Sequence, residues 1–274
     1  MRKAARRWPV RTTGILLSVA LLSLLSVNAA LALDPTGQPP GVTDEANTMH
    51  NLYIFVSILA LAVLVAVEAA LVFMIFRFRK KSDELPPQVH GNNVLEIIWT
   101  AIPMIIVLVL FVASFVVLID VEQDADDEDL TVQVEGLQFT WIFTYSFNDL
   151  GTSGSEEGSE ETFSIEGRAG EENEPTLVIP IGEPVEFALM SNDVIHSFYV
   201  RDFLYKLDVV PGRDNRFTIT ANQEGTFEGQ CAELCGLNHA LMRFKVQVMS
   251  REDFDAWVLE RREEAQAQAA ARQQ

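Results

Sequence analysis

Two long apolar stretches dominate the pattern of hydrophobic and polar positions in the first half of the chain. The first runs from Leu52 to Phe76, 25 residues with Glu68 as the single charge, and the second runs from Ile97 to Ile119, 23 residues without a charge. At about 1.5 Å per helical residue, each is longer than the roughly 30 Å hydrocarbon core of a bilayer. We therefore predict a two-helix transmembrane hairpin over residues 52–119, surrounded by membrane lipid.

Charged residues beside the two stretches predict the orientation of the hairpin. Arg77, Arg79, Lys80 and Lys81 follow the first stretch directly, whereas Asp120 and several further acidic residues follow the second. Basic residues beside a span mark its cytoplasmic side. The connecting loop is thus predicted to be cytoplasmic and the chain after Asp120 to be exported. A buried helical hairpin in a soluble protein is the alternative interpretation.

A shorter apolar stretch near the N-terminus predicts export. It begins at Gly14, follows a basic start, and ends in small residues at Ala30-Leu31-Ala32. A basic start, a short apolar run and a small-residue ending are typical of a secretory signal peptide. We predict a signal peptide over residues 1–32, followed by an exported N-terminal segment over residues 33–51. The alternative is a first transmembrane helix that is retained.

Short strands separated by turns characterise residues 120–250. Stretches rich in β-branched and aromatic residues alternate there with Gly, Pro, Asn and Asp, which is typical of an all-β antiparallel sandwich or barrel. The predicted strands are Leu130–Val134, Gln138–Phe147, Thr176–Ile181, Pro184–Met190, Ser197–Val200, Asn215–Thr220, Gly225–Glu228 and Phe244–Met249.

Two segments depart from the strand pattern. Residues 150–175 are rich in Gly, Ser and Glu and offer too little apolar surface to pack, so we predict a flexible acidic insertion there. Residues 251–274 are predicted to form a C-terminal helix and an Ala- and Gln-rich tail, because Phe254, Trp257 and Val258 fall on one face of a helix.

The charge balance and the composition exclude several classes of protein. The chain carries 20 basic and 39 acidic residues, and residues 120–274 alone carry 11 and 32, a balance of −21. Nucleic-acid binding requires clustered Lys and Arg, so a nucleic-acid partner is excluded. With two Cys and four His, a disulfide-dense scaffold, a zinc-finger array and a multi-haem protein are excluded as well.

Every Cys and His of the exported domain after Asp120 falls in one pattern. The residues are His196, Cys231, Cys235, His239 and Met242, the last four within twelve residues. Two thiolates, two imidazoles and a thioether form a soft set of ligands that suits copper far better than magnesium or calcium. A single blue-copper ion requires one Cys, whereas two thiolates can bridge two metal ions. The pattern therefore indicates an electron-transfer copper centre.

Two other interpretations of the two cysteines, a disulfide and a zinc site, remain open at this point, and a third, haem attachment, does not fit. A disulfide would explain Cys231 and Cys235 but not the nearby His239 and Met242. A zinc site with two Cys and two His is disfavoured because Met242 adds nothing to it and the usual spacing is absent. The spacing also fails the Cys-x-x-Cys-His pattern of haem attachment.

The ligand pattern resembles subunit 2 of the haem–copper cytochrome c oxidases, which holds the dinuclear copper A centre. Besides Cys-x-Glu-x-Cys-x3-His-x2-Met and the upstream Asp-Val-Ile-His-Ser, the segments Leu95–Thr100 and Lys206–Arg213 are similar to that family. The resemblance implies a cupredoxin-like sandwich on the two-helix hairpin. It also implies that Cys231 and Cys235 bridge two copper ions.

Further roles follow from this resemblance. His196 and His239 would be terminal ligands, with Met242 on one copper and the backbone carbonyl of Glu233 on the other. The side chain of Glu233 would face a magnesium or manganese ion shared with the catalytic subunit. Glu96, near the cytoplasmic end of the second span, matches a Glu at the mouth of a proton-uptake path. Glu68 has no role that the family assigns.

The aromatic residues at the expected point of electron input depart from the family pattern. The family has Gln-Trp-x-Trp, with the first Trp receiving electrons from cytochrome c, whereas this chain reads Gln138-Phe139-Thr140-Trp141. Either Phe139 takes that position or Trp141 does. A negatively charged surface would steer a basic cytochrome c toward it.

The function that the resemblance implies is electron input to a respiratory terminal oxidase in a bacterial plasma membrane. Electrons would pass from cytochrome c through the dinuclear copper to haem in a catalytic partner subunit, which reduces oxygen to water. Further membrane subunits are implied because two spans cannot form a complete proton pump. The alternatives are a copper A subunit of a nitric oxide reductase and a membrane-anchored copper carrier.

Overall fold

A computed structural model describes residues 41–79, 90–122, 130–146, 162–167 and 175–272. The predicted signal peptide, residues 33–40 of the predicted exported segment, residues 80–89 of the predicted cytoplasmic loop and much of the predicted insertion lie outside these residues. The account below concerns the described part of the chain.

Two long helices contain the predicted membrane spans. Helix α1 covers Asp44–Arg77 and helix α2 covers Asn93–Val121, and both are long and apolar enough to cross a membrane. The side chains of Thr43 and Asn92 cap their N-termini by accepting hydrogen bonds from the backbone N–H groups of the first turn. The two helices pack along an apolar groove lined by Val56, Leu59, Ala60, Val63, Leu64, Val67, Ile106 and Leu110.

Ten strands form two five-stranded sheets packed face to face. In chain order, β1 to β10 are Leu130–Leu137, Thr140–Ser146, Thr162–Gly167, Thr176–Pro180, Pro184–Ser191, His196–Val200, Tyr205–Val209, Asn215–Thr220, Gly225–Cys231 and Arg243–Met249. The first sheet has the order β3-β2-β1-β5-β8 and the second the order β4-β10-β9-β6-β7. The predicted sandwich is confirmed, with one difference: β1–β5 and β4–β10 are parallel pairs within otherwise antiparallel sheets.

Strand β3 corrects the prediction for part of residues 150–175. Its residues Thr162–Gly167 pair with β2, and Phe163 is buried, stacked on Tyr145 and in edge contact with Trp257. The surrounding Gly, Ser and Glu residues obscured this short alternating pattern. Strand β7, Tyr205–Val209, was likewise missed, because polar residues alternate with its few apolar ones.

The C-terminal helix α3 covers Arg251–Arg272 and closes one end of the sandwich. The Ser250 side chain accepts a hydrogen bond from the backbone N–H of Asp253, as expected of an N-cap. Phe254 and Val258 are buried, which confirms the predicted apolar face. As far as Arg272, the predicted tail continues the helix, consistent with the high helix propensity of alanine and glutamine.

The outer end of α1 is attached to the sandwich by several backbone contacts. Thr43 forms an isolated antiparallel bridge with Ala221, and both carboxylate oxygens of Glu45 accept a hydrogen bond from the backbone N–H of Thr220. Ala46 is fully buried. These contacts join the start of the first membrane helix directly to the domain that carries the metal-ligand pattern.

Candidate metal centre

The fold itself fixes the position of the His196 ring. It is the first residue of β6, is fully buried, and its ring lies against the backbone of β1. A Cβ atom on Gly136 would lie 3.1 Å from Cγ of that ring, so the absence of a side chain on Gly136 leaves room for it. On the other edge, His196 Nε2 lies 2.8 Å from Oδ1 of Asp193. The remaining nitrogen, Nδ1, therefore faces the cysteines.

The remaining predicted ligands lie on the loop between β9 and β10. Cys231 is the last residue of β9, and a short 3-10 helix, His239–Leu241, leads into Met242 just before β10. The backbone N–H of Cys231 donates to the carbonyl of Met242, which closes the loop at its base. The backbone N–H of Ala232 donates a hydrogen bond to the backbone carbonyl of Ser197 in β6. This bond attaches the loop to the strand that carries His196.

The structure brings the predicted ligand atoms together. Cys231 Sγ lies 3.9 Å from Cys235 Sγ, 3.9 Å from His196 Nδ1 and 3.3 Å from the backbone carbonyl oxygen of Glu233. Cys235 Sγ lies 3.7 Å from His239 Nδ1 and 3.8 Å from Met242 Sδ. Each cysteine thus has one imidazole beside it.

These separations fit ligands of shared metal ions and do not fit a disulfide. Two sulfur atoms bound to one ion at about 2.3 Å are about 3.8 Å apart at a tetrahedral angle. A disulfide requires about 2.05 Å, whereas Cys231 and Cys235 are free thiols 3.9 Å apart. His196, Cys231 and Cys235 form a group whose ligand atoms all lie within 4.8 Å of one another. Soft sulfur and imidazole donors of this kind suit copper.

The electrostatics favour a thiolate at Cys231. Although burial opposes ionisation, the hydrogen bond with His196 and those with backbone groups lower the pKa of the Cys231 thiol. Burial and the neighbouring charge of Cys231 raise the pKa of Cys235. For His196, burial of the ring is outweighed by hydrogen bonds with Cys231 and Asp193, which raise its pKa. The first proton is therefore lost from Cys231, and the second is lost readily only when a cation compensates the charge.

The sulfur ligands are buried, and the edge of the site is apolar. Cys231, Cys235 and Met242 are all no more than 5% exposed. Around them, Leu234, Leu237 and Leu241 are strongly exposed, and Ile195 is half exposed. Large apolar side chains that point into solvent beside a buried centre indicate a surface that another protein covers.

Phe139 and Trp141 occupy different positions relative to this loop. Phe139 is partly exposed, and a Cβ on Gly236 would lie 3.0 Å from its Cζ, so its ring lies directly on the loop beside Cys235. The Gln138 side-chain amide donates to the Cys235 carbonyl. Trp141 is fully buried behind His196, with ring centroids 6.2 Å apart.

The three glutamates that the sequence analysis singled out lie in different parts of the chain. Glu233 contributes its backbone carbonyl to the cluster, while its side chain is exposed. Glu96 lies in the first turn of α2 and is exposed. Glu68 lies within α1, on the part of its surface exposed in the single chain.

Sequence reasoning missed Asp193, Gln138 and Gly136. Asp193 precedes His196 by three residues, which is a usable signal, because an acid at that spacing can reach the imidazole across a turn. Gly136 and Gln138 approach the loop only through the pairing of β1 with its neighbours, a long-range relationship with no local signal.

Models of two protein families match this chain. Residues 130–249 match the family described as cytochrome C oxidase subunit II, periplasmic domain. Residues 30–117 match the family described as cytochrome C oxidase subunit II, transmembrane domain.

Individual proteins give the same result. The probable cytochrome c oxidase subunit 2 of Rickettsia felis is 35% identical over 250 residues, which cover 88% of this chain and 78% of that protein. The probable cytochrome c oxidase subunit 2 of Streptomyces coelicolor is 37% identical over 244 residues, with 80% and 76% covered. A crystal structure of the periplasmic domain of subunit II of cytochrome oxidase from Bradyrhizobium japonicum is 26% identical, covers 52% of this chain and 99% of that one, and has a TM-score of 0.42.

Proposed function

Because the chain belongs to the cytochrome c oxidase subunit II family, we propose that it is the subunit through which electrons enter a respiratory terminal oxidase of a bacterial plasma membrane. Electrons would come from reduced cytochrome c and leave to haem in the catalytic partner subunit, where oxygen is reduced to water. The observation that carries this proposal is the convergence of two cysteine sulfurs and two imidazoles where the loop between β9 and β10 meets His196 of β6.

We propose that two copper ions are held by His196, Cys231, Cys235, His239 and Met242 with the backbone carbonyl of Glu233. Held by these residues, a copper pair would supply a one-electron relay. The second cysteine supports a pair, because one ion of the blue-copper type uses a single thiolate. The exposed Glu233 side chain is available for a magnesium or manganese ion at the subunit interface.

The residues around the ligands limit how far they can move. Asp193 and Gly136 hold the ring of His196 from two sides, and two backbone hydrogen bonds close the loop. Ligands held by the fold rather than by the metal keep the same positions in both oxidation states, which lowers the reorganisation that electron transfer requires.

Electron input is proposed to occur at Phe139. Its ring is partly exposed on one side and rests on Gly236 on the other, next to Cys235. Trp141 has no exposed surface through which a donor could reach it. Two acidic side chains lie close to Phe139 along the chain or through hydrogen bonds. Asp193 accepts a hydrogen bond from the backbone N–H of Gln138, and Glu135 accepts one from the side chain of Asn192. Together with the balance of −21 over residues 120–274, they would attract a basic cytochrome c.

Electron output is proposed to occur across the exposed leucines of the ligand loop. Leu234, Leu237 and Leu241 are 76%, 95% and 65% exposed in the single chain. An apolar edge of this kind fits a permanent contact with the haem-bearing subunit, because it would exclude water from the path between the centres. Proton uptake by the same complex is proposed to begin at Glu96, at the opposite side of the membrane.

The test uses the assembled complex purified from membranes. We expect two copper ions per chain and an electron paramagnetic resonance spectrum of one unpaired electron shared between both. Cys231→Ser should abolish that spectrum, whereas Met249→Leu, a substitution outside the loop, should leave it unchanged. One copper ion per chain that exchanges with added chelator would favour a copper carrier. Reduction of nitric oxide but not oxygen would favour a nitric oxide reductase.

A further inference from the structure

Glu68 is the single charged residue in the apolar stretch from Leu52 to Phe76. It is separated from Phe76 by eight residues, so it lies roughly 12 Å inside the cytoplasmic end of the span. A glutamate side chain is too short to reach the interface from that depth. Acidic residues inside a membrane are rare and disfavoured unless a partner compensates them.

The hairpin itself does not provide this compensation. The face of α1 that packs on α2 carries Val56, Ala60, Val63 and Val67, and Glu68 is displaced from it by about 100° around the helix. Over Ile97–Ile119, α2 has no ionisable side chain. Among the residues that the structure describes, none forms a hydrogen bond or ion pair with the Glu68 carboxylate.

The surface around Glu68 is apolar and exposed. Leu64, four positions before Glu68, still lines the groove with α2. On the side of Glu68 that faces away from this groove, the residues three, four and seven positions away are 54%, 58%, 50% and 69% exposed: Leu61, Val65, Val72 and Ile75. We refer to these four residues with Glu68 as the Glu68 face. A carboxylate at the centre of such a face has only acceptor oxygens, so a complementary surface must supply donors.

We propose that the Glu68 face is an interface with a transmembrane helix of a partner subunit, and that this helix presents a Lys or Arg side chain to the Glu68 carboxylate. A lipid headgroup does not reach this depth, and lipid tails offer no donor. A basic side chain supplies both the donors and the opposite charge, which are the two things the carboxylate lacks. The proposal rests on the proposed function only in assuming that the chain works within a multi-subunit oxidase.

The proposal is tested in the assembled complex with three substitutions at this position. Glu68→Gln keeps the shape and hydrogen bonding but removes the charge, Glu68→Leu removes both, and Glu68→Asp keeps the charge. We expect the Gln and Leu variants to dissociate about tenfold more readily from the partner subunit in mild detergent, since interhelical polar contacts contribute roughly 1–2 kcal/mol. The Asp variant should stay close to the native complex. Val65→Ala serves as the control for packing.

Subunit retention is measured by quantifying the partner that co-purifies after incubation. If Glu68→Gln retains the partner as well as the native chain, the charge has no role and the proposal is wrong. If Glu68→Leu makes the complex more stable, the face contacts lipid and the proposal is also wrong. The leucine variant inserts into the membrane at least as readily as the native span, so a loss of complex does not reflect failed insertion.

A second measurement leaves Glu68 itself unchanged. A photo-reactive amino acid at Val72 in the native complex should cross-link to a membrane helix of the partner subunit, and cross-linking to lipid alone would overturn the proposal. Copper content and the copper spectrum are recorded for every variant. Because Glu68 is remote from the ligand loop, both should remain native, so failure of this inference is distinguishable from failure of the proposed copper centre.

Discussion

Asp193 Oδ1 lies 2.8 Å from Nε2 of His196, and this hydrogen bond determines which nitrogen of the imidazole faces the two cysteines. Asp193 is itself fixed, because it accepts hydrogen bonds from the backbone N–H groups of Gln138 and Val194 and from the Ser191 hydroxyl. A carboxylate behind a ligating imidazole orients the ring and raises its basicity. Asp193 is therefore part of the candidate centre, through its hydrogen bond with His196, although it is not itself a proposed metal ligand.

Replacing Asp193 should weaken copper binding without unfolding the domain. We expect Asp193→Ala to lower copper affinity about 10- to 100-fold, the usual effect of removing such a partner. Asp193→Asn keeps one acceptor oxygen and should have a smaller effect. Affinity is measured by competition with a copper chelator, and ring orientation by the hyperfine pattern of the copper spectrum. The control is Asn192→Ala, because Asn192 is next to Asp193 in the chain but its side chain donates to Glu135. If the native protein and all three variants bind copper with equal affinity, Asp193 has no role.

Gly136 provides a second way to disturb His196. A Cβ at this position would lie 3.1–3.2 Å from three atoms of His196, so the ring must shift by a few tenths of an ångström. We expect Gly136→Ala to alter the copper spectrum. It should lower the free energy of unfolding by no more than about 3 kcal/mol, the upper end of the usual cost of overpacking.

Gly229→Ala is the matched control for this prediction. There the added Cβ would lie 2.2 Å from the Phe244 ring in the core. Overpacking at that point should reduce stability more than it changes the copper spectrum. A native spectrum in Gly136→Ala, recorded with full copper loading, would contradict the proposed contact with His196.

The sequence predicts the local part of the centre well and the long-range part poorly. Cys231, Cys235, His239 and Met242 lie in one twelve-residue segment, so any compact loop brings them together. Phe139 reaches Gly236 only because the turn between β1 and β2 lies beside the loop, and no pattern within either segment predicts that contact. The same limitation concealed β3, whose Phe163 is recognisable as a core residue only once Tyr145 and Trp257 surround it.

Phe139 should affect electron input without affecting the metal. We expect Phe139→Ala to slow reduction of the copper centre by cytochrome c, because the ring that bridges the surface and the loop is lost, while the copper spectrum stays native. Phe139→Trp should restore or exceed the native rate. The rate constant is measured by stopped-flow mixing, and in the native complex it should fall as ionic strength rises, since opposite charges steer the encounter.

Trp141 provides the contrast for Phe139. Trp141→Phe, in the core behind His196, should lower stability more than it lowers the rate. If instead the rate depends on Trp141 and not on Phe139, the assignment of electron input is wrong.

Glu96 should affect proton-coupled turnover alone. It lies in the first turn of α2, at the opposite end of the helix from the β-sandwich. We expect Glu96→Gln to slow oxygen consumption at saturating cytochrome c while copper content and the rate of copper reduction remain native. Glu122→Gln, at the outer end of the same helix, is the control for loss of a carboxylate. Unchanged turnover in Glu96→Gln would exclude this residue from the proton path.

The Tyr145 hydroxyl connects the two sheets and should contribute to stability rather than to chemistry. It donates to the carbonyl of Val178 at 2.9 Å and accepts from the N–H of the same residue at 2.8 Å. Strand β4, which carries Val178, is at the edge of its sheet, so this hydroxyl satisfies two backbone groups that have no strand beside them. Burial raises the pKa of Tyr145, which keeps the hydroxyl protonated and able to donate.

Tyr145→Phe would leave both of those groups of Val178 buried without this partner. We expect it to lower the free energy of unfolding by about 1–3 kcal/mol, the cost of burying unsatisfied polar groups. Tyr205→Phe removes a hydroxyl from a half-buried ring that keeps its stacking on Phe217, and should change stability by no more than about 0.5 kcal/mol. Both are measured by denaturant unfolding of the copper-free protein. Equal effects would mean that water replaces the Tyr145 hydroxyl, and that the sheets are held together by apolar packing alone.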